Sequence, residues 1–402
     1  MAKAPSPKTS RSFQLKETTW PLEWGRQVGV YMLMKEVRQT SPGRSEIEGY
    51  GERINLSSYS YLGLLRHPAI DKAAKDAVDT HSTGGHGVRL LSGTNTLHTQ
   101  LEQRLADIRG ADACITFGSG YNANLSTISA LVGPGDYVVS DKFNHASIVD
   151  GCLISRAKFL RYNHNDPDHL HERLRQIPQD ANVLVVSDGV FSMDGDIMNL
   201  PKISEVCKEH GALLMVDEAH SFGVIGETGK GIEEHFGCGA DAIDIKMGTL
   251  SKAIPSNGGY ICASAEIVEY LKHQARGFIF SAAMTPANAA AALAALEVIE
   301  KEPERISRLH SNAAKFRDLL TSGGVDTLQS KTAIVPAYCK EDKRAWFLAK
   351  HCMEHGVYVH GIPYPVVAKG TARLRCSITA NHTADDIARA AEVVCMAFSE
   401  VR

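Results

Sequence analysis

The segment VDEAHSFG sets a carboxylate and an imidazole, Asp217 and His220, three residues apart directly behind the apolar run LLMV. In an open α/β sheet ligands gather at the carboxyl ends of strands, so an acid and an imidazole at this point are placed to touch one. The letters DEAH also match the nucleotide-hydrolysis box of helicases. That chemistry needs a G-x-x-x-x-G-K-[ST] phosphate loop, and GETGKG at 226–231 lacks both its spacing and its hydroxyl. A capped helix start behind a strand is the plain structural alternative. Earlier in the chain, FGSGYNAN follows the apolar run ACITF, and Gly118, Ser119 and Gly120 would open a helix there. Free amides at a helix N-terminus, with the positive end of its dipole, suit an anion.

A lysine follows 35 residues after Asp217: Lys252 stands in GTLSKAIPSNGG, behind Thr249 and Ser251 and before the glycine pair Gly258 and Gly259. A lysine in such a turn is ordinarily just solvated. With hydroxyls and permissive glycines beside it, it also meets the needs of a pyridoxal phosphate (PLP) site, an amine for the aldehyde and donors for the phosphate. Two more segments end apolar runs in the same way: DKFNHASIVDG with His145 after YVVS, and DGVFSMDGD with Ser192 after VLVVS. A lone loop histidine is more often structural, so His145 gains a role only through its neighbours.

The elements that must position these groups are legible as short apolar runs at 113–117, 137–140, 183–188, 213–218, 244–248 and 260–263. Between them, Asp168–Arg175 and Ile203–His210 carry apolar residues at spacings of three and four, the helical period. Alternation of this kind implies an α/β fold with a mostly parallel sheet and helices on both faces. TPANAAAALAALEVIE reads as a long helix leading into a smaller α+β unit that contains AIVPAY, VYVHGI and RLRCSIT. The expected division is an N-terminal arm at 1–55, with Trp20 and Trp24 in an aromatic patch, a large domain at 56–300 and a small domain at 301–402. With 402 residues, 44% hydrophobic and 22% charged, the chain is neither disordered nor a coiled coil, and a net charge of −3 gives no pull toward nucleic acid or anionic lipid. Nine cysteines without a C-x-x-C pair fit neither a disulfide framework nor a metal site. No apolar run of ~18 residues or signal-like start is present, so the expectation is a cytoplasmic protein with no integral membrane segment.

Glycine turn, NHAS, SMDGD, VDEAH, T-x-S-K and a late RLR occur in the order found in fold-type I PLP enzymes, and over Leu56–His382 the chain resembles the α-oxoamine synthases. That resemblance implies decarboxylative condensation of an amino acid with an acyl thioester, delivered by CoA or a carrier protein, to give an α-amino ketone. It implies that Lys252 binds the cofactor aldehyde and serves as acid and base, Asp217 pairs with the pyridine nitrogen, His220 with the phenolic oxygen, His145 stacks on the ring, and Ser192 supports the ring's polar edge. The phosphate would fall to Ser119, the amides of Gly120 and Tyr121, Thr249, Ser251, and Ser281 from a second subunit, since family sites lie at a homodimer interface. Arg375 matches the family's carboxylate-binding arginine, with Arg373 the alternative, and Tyr59 joins the substrate side.

Within the family, Tyr59 in SSYSYLGL, NHASIVDGC and Ala282 in FSAAMTP resemble the serine palmitoyltransferase branch, the leading expectation. GHGVRLLSGTNTLHTQLE instead resembles the synthases of biotin and heme precursors, so activity like that of 8-amino-7-oxononanoate synthase, or of 2-amino-3-ketobutyrate CoA ligase, is the alternative. An aminotransferase or lyase shares the Asp–Lys core, but FSAAMTP and NHAS count against it. A non-catalytic scaffold would lack the lysine, which is present.

Overall fold

The computed structural model describes residues 22–401. Trp20 and the polar stretch before it lie outside the described residues. Three strands, β1 (Val37–Ser41), β2 (Arg44–Ile47) and β3 (Gly51–Asn55), precede the central sheet. That sheet comprises β4 (Ala113–Phe117), β5 (Tyr137–Asp141), β6 (Lys158–Tyr162), β7 (Val183–Asp188), β8 (Leu213–Asp217), β9 (Ile245–Thr249) and β10 (Gly259–Ala263). The C-terminal part holds β11 (Ile334–Lys340), β12 (Val357–Tyr358), β13 (His360–Ile362) and β14 (Ala372–Ser377).

The central order is β4-β10-β9-β8-β7-β5-β6, with β10 antiparallel to both neighbours and the other pairs parallel. Its inner strands read as unbroken apolar runs because both faces are covered. Along them Val138, Val186 and Met215 enter one core, while Val139, Val185, Leu214 and Val216 enter the other. The edge strand β6, KFLRY, was not expected: its charged alternate residues mask the apolar pattern.

The alanine-rich segment forms the helix Pro286–Lys301, with Thr285 as N-cap and proline in its first turn. Small side chains there let it pack closely on the helix Pro68–His81. VYVHGI is not one strand. It breaks at Val359, so β12 pairs with β3 in a four-stranded sheet and β13 pairs with β14 in a three-stranded one. Residues 37–55 therefore share a sheet with C-terminal residues, and Trp24 lies 5.9 Å from Trp346 and 6.0 Å from Phe347 on the helix Asp342–Glu354. All nine cysteines are free thiols, seven of them buried. No helix among the described residues is long and apolar enough to cross a membrane.

Candidate active site

The carboxyl ends of β5, β7, β8 and β9 converge on a cleft of about 250 Å³. One wall is the start of the helix Gly120–Leu131, where the Ser119 side chain accepts from Asn122 N at 3.1 Å as N-cap. The first amides of a helix have no acceptor within it, so those of Gly120 and Tyr121 are available to an anion. Thr249 and Ser251 stand opposite, their hydroxyls 2.9 Å apart. Two glycines make this approach possible: a Cβ on Gly120 would lie 3.0 Å from Thr249 Oγ1, and one on Gly259 would lie 2.6 Å from Gly120 Cα.

At the floor, Lys252 Nζ is 2.8 Å from His220 Nε2, and His220 Nδ1 is 2.7 Å from the Tyr61 hydroxyl. Burial, together with nearby Arg375 and against the pull of Asp217, lowers the Lys252 pKa to about 8. Burial, then the Lys252 and Arg375 cations, push His220 well below the usual imidazole range, so it is neutral and accepts from Lys252. Asp217 accepts from Asn124 Nδ2 at 2.7 Å and from Ala219 N at 2.8 Å. His145 is the N-cap of the helix Ala146–Ser155; its backbone N–H donates to Asp188 Oδ2 at 3.1 Å and its ring lies edge-on to Tyr121. Asp188 stands beside Asp217 in the β7–β8 register, and burial, then the Asp217 charge, raise its pKa well above the carboxylate range.

Ser192 also lines the cleft, and its carbonyl accepts from Arg375 Nε at 2.6 Å. Arg375 further donates to Ser377 Oγ at 2.6 Å, and its guanidinium lies 4.9 Å from the Tyr59 ring, with Lys252 Nζ 5.8 Å from the same ring. Arg373 points elsewhere, to Asp194 at 2.6 Å and to backbone carbonyls of Met193 and Thr371. Ser281 is not a wall of this cleft: it sits next to Ala282, which bridges to Val88. Tyr61, Asn124, Ser147 and Asp188 belong to the site without having been singled out in the sequence. Asn124 ends the quoted FGSGYNAN, but nothing marks a polar residue as facing inward until the helix register is known.

The class I and II aminotransferase model matches residues 52–394, most of the chain. An 8-amino-7-oxononanoate synthase of Geobacter sulfurreducens is 47% identical over 91% of this chain and 93% of its own length. A serine palmitoyltransferase of Sphingobacterium spiritivorum is 39% identical over 92% and 93%. The chain belongs to the class I and II aminotransferase family, as an α-oxoamine synthase. Among solved structures, this α-oxoamine synthase is similar to a serine palmitoyltransferase determined with PLP, with a TM-score of 0.91 and 34% identity over 94% of this chain and 96% of that one. The similarity to 8-amino-7-oxononanoate synthase from Francisella tularensis has a TM-score of 0.75 and 28% identity over 86% and 98%.

The enzyme is a PLP-dependent acyltransferase with the fold-type I architecture. Its cleft fits the cofactor: helix-terminal amides, a glycine cradle that a Cβ would fill, a buried carboxylate and one half-buried amine occur together. Of the two branches expected from the sequence, the named relatives back the alternative better than the leading one. Sequence identity is higher to relatives named 8-amino-7-oxononanoate synthase, at 47% and 44%, than to the named palmitoyltransferase at 39%.

Proposed function

We propose that this α-oxoamine synthase condenses alanine with a seven-carbon ω-carboxyacyl thioester, releasing carbon dioxide and free thiol. The substrates follow from the product named in its relatives: cutting 8-amino-7-oxononanoate between C7 and C8 leaves an alanine-derived amine and a seven-carbon diacid. The observation that carries the chemistry is the 2.8 Å contact of Lys252 Nζ with His220 inside a cleft that Asp217, His145 and Arg375 share or border.

Bound PLP supplies an electron sink for the negative charge left at the amino acid's α-carbon. Lys252 would be the amine that holds the cofactor's aldehyde, and its Nζ would be the group that takes and returns the substrate's α-proton. A pKa of about 8 suits a group that must both hold and release a proton near neutral pH. Asp217 would hold positive charge on the ring nitrogen, and His220 would be the residue beside the phenolic oxygen. His145 and Ser192 hold the ring. The amides of Gly120 and Tyr121, with Ser119, Thr249 and Ser251, hold the phosphate. Arg375 takes the substrate carboxylate: its guanidinium faces Tyr59 and Tyr61, whereas Arg373 is spent on Asp194. Ser281 reaches the phosphate of a second copy in a homodimer, supported by exposed Phe280 and Leu91 on the connected segments. Residues 1–55, 56–300 and 301–402 act as arm, cofactor domain and small domain.

A second reading, serine with a long-chain acyl thioester, is favoured by the fit to serine palmitoyltransferase structures. Mass analysis of the product from equimolar alanine, serine and glycine, with a pimeloyl or a palmitoyl thioester, separates the two. The alanine–pimeloyl ketone is expected; a serine–palmitoyl product overturns the first reading in favour of the second.

A further inference from the structure

Asn124 is 1% exposed, stands on the helix Gly120–Leu131 and faces the cleft floor. Its Nδ2 donates to Asp217 Oδ2 at 2.7 Å and to Ser147 Oγ at 2.9 Å. The reverse amide orientation would set Oδ1 against the Asp217 carboxylate, so the direction of both bonds is determined. Ser147 is buried, and since Asn124 Nδ2 can only donate to it, the hydroxyl proton goes to its other partner, His145 Nδ1, 2.7 Å away. The same ring nitrogen also accepts from Ser147 N at 3.2 Å. Two donors converge on Nδ1, and a proton there would face both of them.

We infer that Asn124 is a positioning residue that, through Ser147, locks His145 in the tautomer bearing its proton on Nε2. One side chain thereby orients both groups expected to bracket the cofactor ring. Asp217 is held by Nδ2 from one side and by the Ala219 amide from the other, and His145 presents an N–H donor, not an acceptor, to whatever enters the cleft. The inference rests on the proposed placement of His145 at the reacting groups only for its catalytic consequence; the tautomer itself belongs to the protein alone.

The charged and titratable groups facing the His145 ring are Asp217 from β8, Asp150 from its own helix, Lys252, His220, Asp188 at the end of β7 and Tyr121 from the glycine-turn helix. Changing Asn124 also removes a donor from Asp217, whereas Ser147→Ala leaves the Asn124–Asp217 contact in place. Burial, with Lys252 adding to it against Asp217, keeps His145 below the usual imidazole range, in the same sense as the donors on Nδ1. Replacing Asn124 by alanine removes the donor that orients the Ser147 hydroxyl, which can then turn and accept from a protonated Nδ1, and this favours the charged ring.

The test is NMR of the cofactor-free protein with 15N-labelled histidine, His145 being assigned by His145→Gln, across a pH titration. In the wild type, Nδ1 is expected to give the signal of an unprotonated nitrogen and Nε2 that of a protonated one. Asn124→Ala is expected to raise the His145 midpoint by about one pH unit, and the acidic limb of kcat/KM should move with it. Ser147→Ala removes the same link and should raise the midpoint likewise, so it decides the matter if Asn124→Ala does not fold. A wild-type proton on Nδ1, or unchanged midpoints in both variants, overturns the inference. Correct tautomer signals in a protein that releases no thiol from any substrate pair support the inference and overturn the proposed function instead.

Discussion

His164 holds the loop behind the cleft through a charge that pH can remove. Its Nδ1 lies 3.1 Å from Asp141 Oδ1 at the end of β5, and its Nε2 lies 2.9 Å from Asp196 Oδ2 in SMDGD. Phe143 stacks on the ring at 4.4 Å and Phe191 meets it edge-on at 4.3 Å. Burial opposes the charge, but the hydrogen bonds and charges of the two carboxylates outweigh it and raise the imidazole pKa to about 9. The loop that Asp196 closes is also the one that accepts from Arg375 and Arg373. A rise from 6.5 to about 9, at ~1.4 kcal/mol per unit, is worth at most about 3.5 kcal/mol. The side chain keeps 19% of its surface exposed, and solvent screening reduces this to roughly 1–2 kcal/mol. Because the folded-state value lies above the unfolded one, the contribution is fully present below pH 6.5 and is lost as pH rises through 9. His164→Gln should therefore lower the apparent Tm by about 2 °C at pH 6, and the gap to wild type should narrow steadily by pH 10. Differential scanning of both proteins across that range reads the gap while groups common to the two cancel. A gap that is constant or widens with pH would refute the reasoning, since packing loss alone carries no such dependence.

Five substitutions test the cleft. Arg375→Ala should raise KM for the amino acid about 10- to 100-fold, with the visible spectrum of the bound cofactor intact, whereas Arg373→Ala should raise it far less; steady-state kinetics decides between them. Tyr61→Phe removes the hydroxyl that lies 2.7 Å from His220 Nδ1 and should shift the pH titration of the cofactor's visible band. Gly259→Ala would set a Cβ 2.6 Å from Gly120 Cα, displacing the helix start, and should weaken PLP binding to the cofactor-free protein about 10-fold or more in a fluorescence titration. Lys252→Ala should bind PLP without turnover in a thiol-release assay.

The strands that deliver chemistry were legible because buried parallel strands read as continuous apolar runs; Asp217 ends such a run, and Lys252 stands three residues beyond β9. The second rank of polar groups was not. Asn124 and Ser147 lie on helices whose inward faces depend on a register that composition does not show, and Tyr61 reads as an ordinary core aromatic until its hydroxyl is seen against His220. Strand β6 was hidden by charge on an edge, and the break at Val359 by apolar residues that serve two different sheets. The branch of the family was the hardest to read: Tyr59 and Ala282 pointed toward one branch, and overall identity is higher to relatives named for the other.

The central claim, that Lys252 and its neighbours run an acyl-thioester condensation, is tested most directly by stoichiometry. The purified protein is supplied with PLP, carboxyl-labelled alanine and a pimeloyl thioester, and free thiol and labelled carbon dioxide are measured together. The account predicts one thiol and one carbon dioxide per ketone formed, both abolished in Lys252→Ala. Thiol release without carbon dioxide, or neither product from any amino acid and thioester pair while PLP is bound, would contradict it.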